Sequence, residues 1–295
     1  MIRRDTLFQI IANIILILIS LLCIIPFFLL FASAFSNETD ILHNGYTLWP
    51  RVWDFTTFRY IGNSANGILR SYGMSAMVTV VGTVFGLFVS LLYAFPISRY
   101  DFRWRSGFSF YLFFTILFNG GFIPTYMMWT NYFHIKNSFW AYLLPNLMVN
   151  GFYVIMARNY FSQNIPQEII ESAKIDGAGE YSIFGKIVLP TAKPIMSTLG
   201  LFISLNYWND WQNGLYYITN DKMYTIQVLL NRMLLDAVYM ANGMGKTAAN
   251  SIGTVMPTMT LKMAIAVMGV LPVLIIFPFA SKYLTGGMVV GSVKG

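Results

Sequence analysis

One cysteine and two histidines occur in 295 residues, and that scarcity excludes a good deal of chemistry. Cys23 has no second thiol to pair with, so neither a disulfide framework nor a thiolate metal site is available. Lying within an apolar run, it reads as a small packing residue. His43 and His134 have no companions at metal-ligand spacing and read as structural or solvated, so no metal site is expected. Charge is scarce as well, at 11% of residues. The net charge of +7 does not come from a basic cluster interleaved with aromatics in a soluble segment, which argues against a nucleic-acid partner. Paired aspartates or a Ser/His pair inside an apolar segment would suit an intramembrane enzyme, and only Asp210 comes near, so no catalytic residue is expected.

A nucleotide site is missing too. Gly245-Lys246-Thr247 ends like a phosphate-binding loop, but the pattern needs glycine at position 240, where Met240 stands, and no strand precedes it. The chain therefore binds no cofactor of its own and does not hydrolyse ATP alone.

What the sequence has is hydrophobicity, at 56% of residues with 17% aromatic. Crossing about 30 Å of hydrocarbon takes roughly 20 apolar helical residues, and six runs qualify: 7–35, 72–95, 107–130, 139–160, 195–219 and 260–281. These predict an all-α polytopic membrane protein, a single transmembrane domain over 1–295. Arg3 and Arg4 before the first run, with Ala32-Ser33-Ala34 at its end, imitate a secretion signal, but the apolar core is too long. It reads as an uncleaved span kinked at Pro26. Eleven of the 19 Lys and Arg fall in the N-terminus, the 99–105 and 158–193 connections and the C-terminal tail. By the positive-inside rule those segments, and both termini, are cytoplasmic. Gly73, Gly82 and Gly86 in the second run predict close helix packing.

Breakers and polar groups inside spans are tolerated where protein or a cavity satisfies them. Asn119-Gly120-Gly121 and Pro124 lie in the third run, and Pro145, Asn146 and Asn150 in the fourth. The fifth carries Asn206, Trp208, Asn209, Asp210, Trp211 and Asn213. Asn206, Asn209, Asp210 and Asn213 follow helical spacing and predict one polar stripe flanked by the tryptophans. Two readings stay open: the stripe lines a cavity for a substrate, or it packs at the outer membrane interface.

Between the fourth and fifth runs lies a polar, jointed stretch within residues 161–194. Pro166 suits a first helical position, Glu168 the first turn, and Gly177 a helix end. A second short helix is expected from about Glu180 to Val188, stopped by Pro190. The residues alone also allow a hairpin lying on the membrane surface. Glu171-Ser172-Ala173, three residues, Gly177, nine residues and Ile187-x-Leu189-Pro190 resemble the E-A-A, x3, G, x9, I-x-L-P signature of ABC importer permeases, with Ser172 in place of the usual alanine. Together with the six runs and the ending GGMVVGSVKG, this looks like the carbohydrate-uptake, maltose-transporter-like class. The likeness is greatest to permeases of polysaccharide-derived oligosaccharide importers.

That resemblance covers nearly the whole chain, most tightly a permease core at 72–287, and implies the type I ABC importer permease fold. It implies a non-catalytic permease subunit in a bacterial inner membrane, moving an oligosaccharide by alternating access. The implied partners are a second homologous permease, a dimer of ATP-binding subunits that use ATP and Mg, an extracellular solute-binding protein and membrane lipid. Glu168, Glu171, Ser172, Ala173, Asp176, Gly177, Ile187, Leu189 and Pro190 would couple to the ATPase. A secondary transporter usually needs internal repeats to form its site, and none is evident; a structural membrane scaffold is the blander alternative. The sugar itself is not legible.

Overall fold

The computed structural model describes residues 2–62, 65–145, 147–241 and 259–288. Asn146, the Gly245-Lys246-Thr247 loop and the tail beyond residue 288 lie outside the described residues. The described residues are almost all helical, and the only bridge between extended residues pairs Ser36 with Trp53. In chain order the helices are α1 (Ile2–Ala34), α2 (Glu38–Asn44), α3 (Thr56–Gly62), α4 (Ala65–Ser98), α5 (Arg105–Leu117), α6 (Phe122–Met127) and α7 (Trp140–Leu143). They continue with α8 (Gly151–Asn164), α9 (Gln167–Ile175), α10 (Glu180–Ile183), α11 (Leu189–Thr191) and α12 (Lys193–Asn209). The last are α13 (Gln212–Tyr217), α14 (Ile226–Ala241) and α15 (Met259–Met288).

Among the described residues, 3 helices are single apolar stretches long enough to cross a membrane: Phe8–Ala34, Gly67–Ser98 and Met259–Ile276. Counting two sharply bent helix pairs as one span each brings the number to 5, against the six runs expected. The difference lies in the breakers. The third run splits between α5 and α6, where Gly121 takes φ +87° and the segments Arg105–Leu117 and Phe122–Tyr132 meet at 113°. The fourth is helical only as α7 and α8, with Pro145 and Asn150 in the connection. At Pro26, by contrast, α1 continues as helix.

The chain forms two compact units, one from Met1–Ile68 and Leu229–Leu274, the other from Leu69–Val228 and Ile275–Gly295. In the first unit the most apolar stretch of α1 has no buried residue, so a bilayer or another protein must cover it. The Glu38 carboxylate accepts from the backbone N–H of Met259 and Thr260 and from the Thr260 hydroxyl, each at 2.8 Å. This satisfies two of the backbone donors that the start of α15 leaves open. Phe35 stacks on Phe58 at 4.7 Å beside Trp53 and Phe55.

In the second unit α4 packs closely against α12, and its glycines explain how. A Cβ on Gly82 would lie 2.5 Å from the Tyr207 ring of α12, and one on Gly86 would lie 3.3 Å from Ile203. Gly73, grouped with them on sequence, faces open space. Buried Tyr207 donates to the Leu143 carbonyl at 3.1 Å, and buried Tyr142 donates to the Met223 carbonyl at 2.9 Å. The open carbonyls at the end of α4 are met from α8: Arg158 donates to Ile97 at 3.4 Å and Ser162 to Ser98 at 3.2 Å.

Candidate functional site

Residues 166–191 form a knob of short helices in the second unit. Pro166 precedes α9 as its cap, at φ −60° and ψ 138°, one position earlier than its sequence suggested, and Glu168 lies in the first turn. The far end closes as expected. Gly177 adopts φ +80°, its N–H reaches the Lys174 carbonyl at 3.0 Å, and the Ala178 N–H reaches the Ala173 carbonyl at 2.9 Å. This pair of bonds is the closure that a left-handed residue after a helix makes possible. No neighbour lies within 4 Å of where a Cβ would stand, so conformation and not space requires the glycine.

The second helix differs from expectation. After α10 the backbone widens into a π turn at Phe184–Val188 and continues through Pro190 to Thr191. The wider π turn just before it accommodates Pro190 within this continuous helical run, and the Thr191 hydroxyl donates to the Ile187 and Val188 carbonyls. The real stop is Ala192, where Glu180–Thr191 and Lys193–Asn209 meet at 82°. Ile170 and Val188 turn inward. Glu168, Glu171, Ser172, Asp176, Gly177 and Pro190 are exposed, and Ala173, Ile187 and Leu189 are half-buried. Ile175 and Tyr181 are 86% and 88% exposed, large apolar surfaces on an otherwise polar knob.

Sequence reasoning missed a charged bridge at the base of the knob. Buried Arg99, one residue past α4, forms ion pairs with Asp101 and Glu180, and Lys174 reaches Asp101 at 2.8 Å and Glu180 at 3.3 Å. The Arg99 hydrogen bonds, with that of Lys174, hold the Asp101 carboxyl down at about 2, well below its ordinary 3.8.

The fifth run does not form one polar stripe. α12 ends at Asn209, because Asp210 turns extended at φ −72° and ψ 107° before α13 begins. Asp210 then acts locally, its Oδ1 accepting from the Asn213 N–H at 3.2 Å. Asn213 is buried and donates to the Pro145 carbonyl at 3.0 Å, so its amide is committed to structure. Asn119 and Asn150 likewise accept from nearby backbone N–H groups, of Gly121 and Phe152, at 2.9 Å. Exposed Asn206 donates to the Tyr153 hydroxyl at 2.8 Å, and Asn209 and Trp211 are exposed. Trp208 stacks on Tyr72 with centroids 6.4 Å apart. Trp208 Nε1 and Asp210 Oδ2 are buried without a hydrogen-bond partner among the described residues. Tyr72 and Tyr153 belong to this site and were not singled out; only their meeting with residues far along the chain reveals them.

The family described as binding-protein-dependent transport system inner membrane component matches residues 82–289. The polygalacturonan/rhamnogalacturonan transport system permease protein of Bacillus subtilis (strain 168) is 35% identical over 99% of this chain and 100% of its own length. The arabinooligosaccharides transport system permease protein of Halalkalibacterium halodurans is 28% identical over 94% of this chain and 93% of its own. A crystal structure of a bacterial ABC transporter involved in import of the acidic polysaccharide alginate contains a chain of the same fold. Its TM-score is 0.79 at 26% identity, covering 95% of this chain and 98% of that one. With the family match spanning most of the sequence, the chain belongs to the binding-protein-dependent transport system inner membrane components, the permeases of ABC importers.

Proposed function

We propose that this chain forms one half of the membrane path of an oligosaccharide importer. A second permease completes the path, two separate subunits bind and hydrolyse ATP with Mg, and an extracellular binding protein delivers the sugar. The knob is the single observation that carries the coupling part of this reading. It presents exposed Glu168, Glu171 and Asp176 beside exposed Ile175 and Tyr181 on a closed, short helix pair, a surface suited to a cleft in an ATPase. Ser172, Ala173, Gly177, Ile187, Leu189 and Pro190 shape it. In this arrangement the chain crosses a bacterial inner membrane six times, with the knob and both termini in the cytoplasm. Inward movement of the knob would be passed along α12 to a gate near Asn206, Trp208, Asn209, Asp210 and Trp211. Asn119, Asn146 and Asn150 belong to the same path, and Asn213 supports it through Pro145.

The substrate class is an oligosaccharide of acidic polysaccharide origin, a reading supported by the likeness to the polygalacturonan/rhamnogalacturonan permease and to the alginate importer. The exposed aromatic face of Trp211 suits a sugar ring, and exposed Asn206 and Asn209 suit its hydroxyls. The test is ATP hydrolysis by the assembled importer in proteoliposomes, with oligogalacturonides compared against a neutral oligosaccharide. Stimulation by the acidic ligand is expected; no stimulation by any oligosaccharide would overturn the proposal. Within the same assay Gly177→Val, strained at φ +80°, should insert normally and lose stimulation. A fully stimulated Gly177→Val complex would rule out the knob as the coupling element.

A further inference from the structure

The coupling role proposed above leaves open how movement of the knob reaches α4, the element that α12 packs against through Gly82 and Gly86. The knob is not simply packed onto the end of α4. A cleft of about 500 Å³, open to the surface at Tyr181, runs between them in part, lined by Phe95, Phe102 and Phe184 and by the charged Arg99, Asp101 and Glu180. Apolar contact beside it includes Phe95 with Phe184, centroids 5.4 Å apart. Side chains that face an open cleft have no packed neighbour on that side and transmit little strain across it.

What spans the joint is the charged bridge. Arg99 leaves the end of α4 and is only 7% exposed. Its Nε donates to Asp101 Oδ1 at 2.9 Å, a terminal nitrogen pairs with Asp101 Oδ2, and the other pairs with Glu180, the first residue of α10. The guanidinium carbon also lies 5.5 Å from the Phe95 ring centroid, within cation–π range. Lys174 on α9 closes the set by reaching both carboxylates. Two cations and two anions thus tie α4, α9 and α10 together. The planar fork of Arg99 fixes direction in a way a point charge would not.

We propose that Arg99 is the positioning residue that makes the knob and α4 move as one body, so that a displacement imposed on the knob is delivered to the translocation helices. Glu180 is its essential partner on the knob, and Lys174 is an accessory that neutralises the second carboxylate. Arg99 itself touches neither ATP nor sugar.

The measurement is the number of substrate molecules taken up per ATP hydrolysed, in proteoliposomes carrying the complete importer. Coupling mutations typically shift such an equilibrium by a few-fold to tens-fold, so Arg99→Met should lower the ratio about fivefold. Glu180→Gln should lower it by a similar factor, while Lys174→Met changes it less than about twofold. The double variant Arg99→Met/Glu180→Gln should be no worse than Arg99→Met, because both remove one link. A general structural defect would instead reduce uptake and hydrolysis together and leave the ratio intact. An unchanged ratio in either single variant would overturn the proposal. Glu180 is largely exposed, so its substitution decides the matter even where the Arg99 variant does not assemble. If the unmodified complex shows no sugar-stimulated hydrolysis, the coupling role fails; if it does and Arg99→Met retains the ratio, the bridge alone fails.

Discussion

Two regions of the second unit are held by opposite chemistry. At the knob end, four charged side chains link three segments, and three of the four remain substantially exposed. At the break after Asn209, neutral groups do the holding: Tyr207 to Leu143, Asn213 to Pro145 and Tyr142 to Met223, with the donor residues buried. Exposed ion pairs contribute little apiece and are screened by salt. Buried neutral bonds are costly to lose because the orphaned partner has no water to turn to. The first kind of joint keeps an orientation while it is displaced; the second fixes a geometry. That division suits a device in which one end is pushed and the other must present a defined surface.

The comparison breaks most severely if the buried region is overfilled. Gly82→Ala places a methyl 2.5 Å from a Tyr207 ring that is itself buried and hydrogen-bonded. Overpacking of this kind costs about 3 kcal/mol at its upper end. Thermal unfolding in detergent should show a large drop for Gly82→Ala and a distinctly smaller change for Gly86→Ala, where the Ile203 methyl at 3.3 Å need yield only a few tenths of an ångström. Equal midpoints for the two variants would mean that α4 and α12 are not in close contact.

Next in size is Asn213→Leu, which leaves the buried Pro145 carbonyl without its donor. A loss of about 2 kcal/mol is expected, within the range for an orphaned buried group, and it should persist in high salt. A loss that disappears with salt would place Asn213 among exposed groups and remove the contrast between the regions.

These two joints also differ in how far the sequence reveals them. The knob is written locally: Gly177, Glu168 and the prolines are capping signals whose partners lie within a few residues, and α9 closes as they predict. Even there Pro190 misled, because a π turn at Phe184–Val188 moved the stop to Ala192. The glycines of α4 were legible as a group but not one by one, since only the partner helix tells Gly82 from Gly73. The Arg99 bridge was hidden because Glu180 is 81 residues away. The break at Asp210 was hidden for the opposite reason. Its polar residues satisfy helical spacing so well that periodicity argues for a stripe, while the bond that commits Asn213 reaches across 68 residues to Pro145. Local rules see caps and faces; they do not see which distant carbonyl lacks a donor.

The smallest effect is the one that sharpens the comparison, because it tests the exposed joint by charge alone. Asp101→Asn keeps the shape of the side chain and removes its charge. Asp101 is 41% exposed, so the stability lost at neutral pH should be about 0.5 kcal/mol, an ordinary figure for a surface pair. The native carboxyl titrates near 2, below its ordinary 3.8. A group whose folded value is depressed stabilises fully above its unfolded value, and that stabilisation is lost as pH falls through the folded one. The difference between native chain and Asp101→Asn should therefore hold steady from neutral pH down to about 4, then shrink toward pH 2. It should also shrink at about 1 M salt, where screening shortens to a few ångströms. Unfolding midpoints of the two proteins, compared across pH and salt, provide the check. A difference that survives both acid and salt would show Asp101 acting through packing, and the knob joint would then be of the same kind as the joint at Asn213.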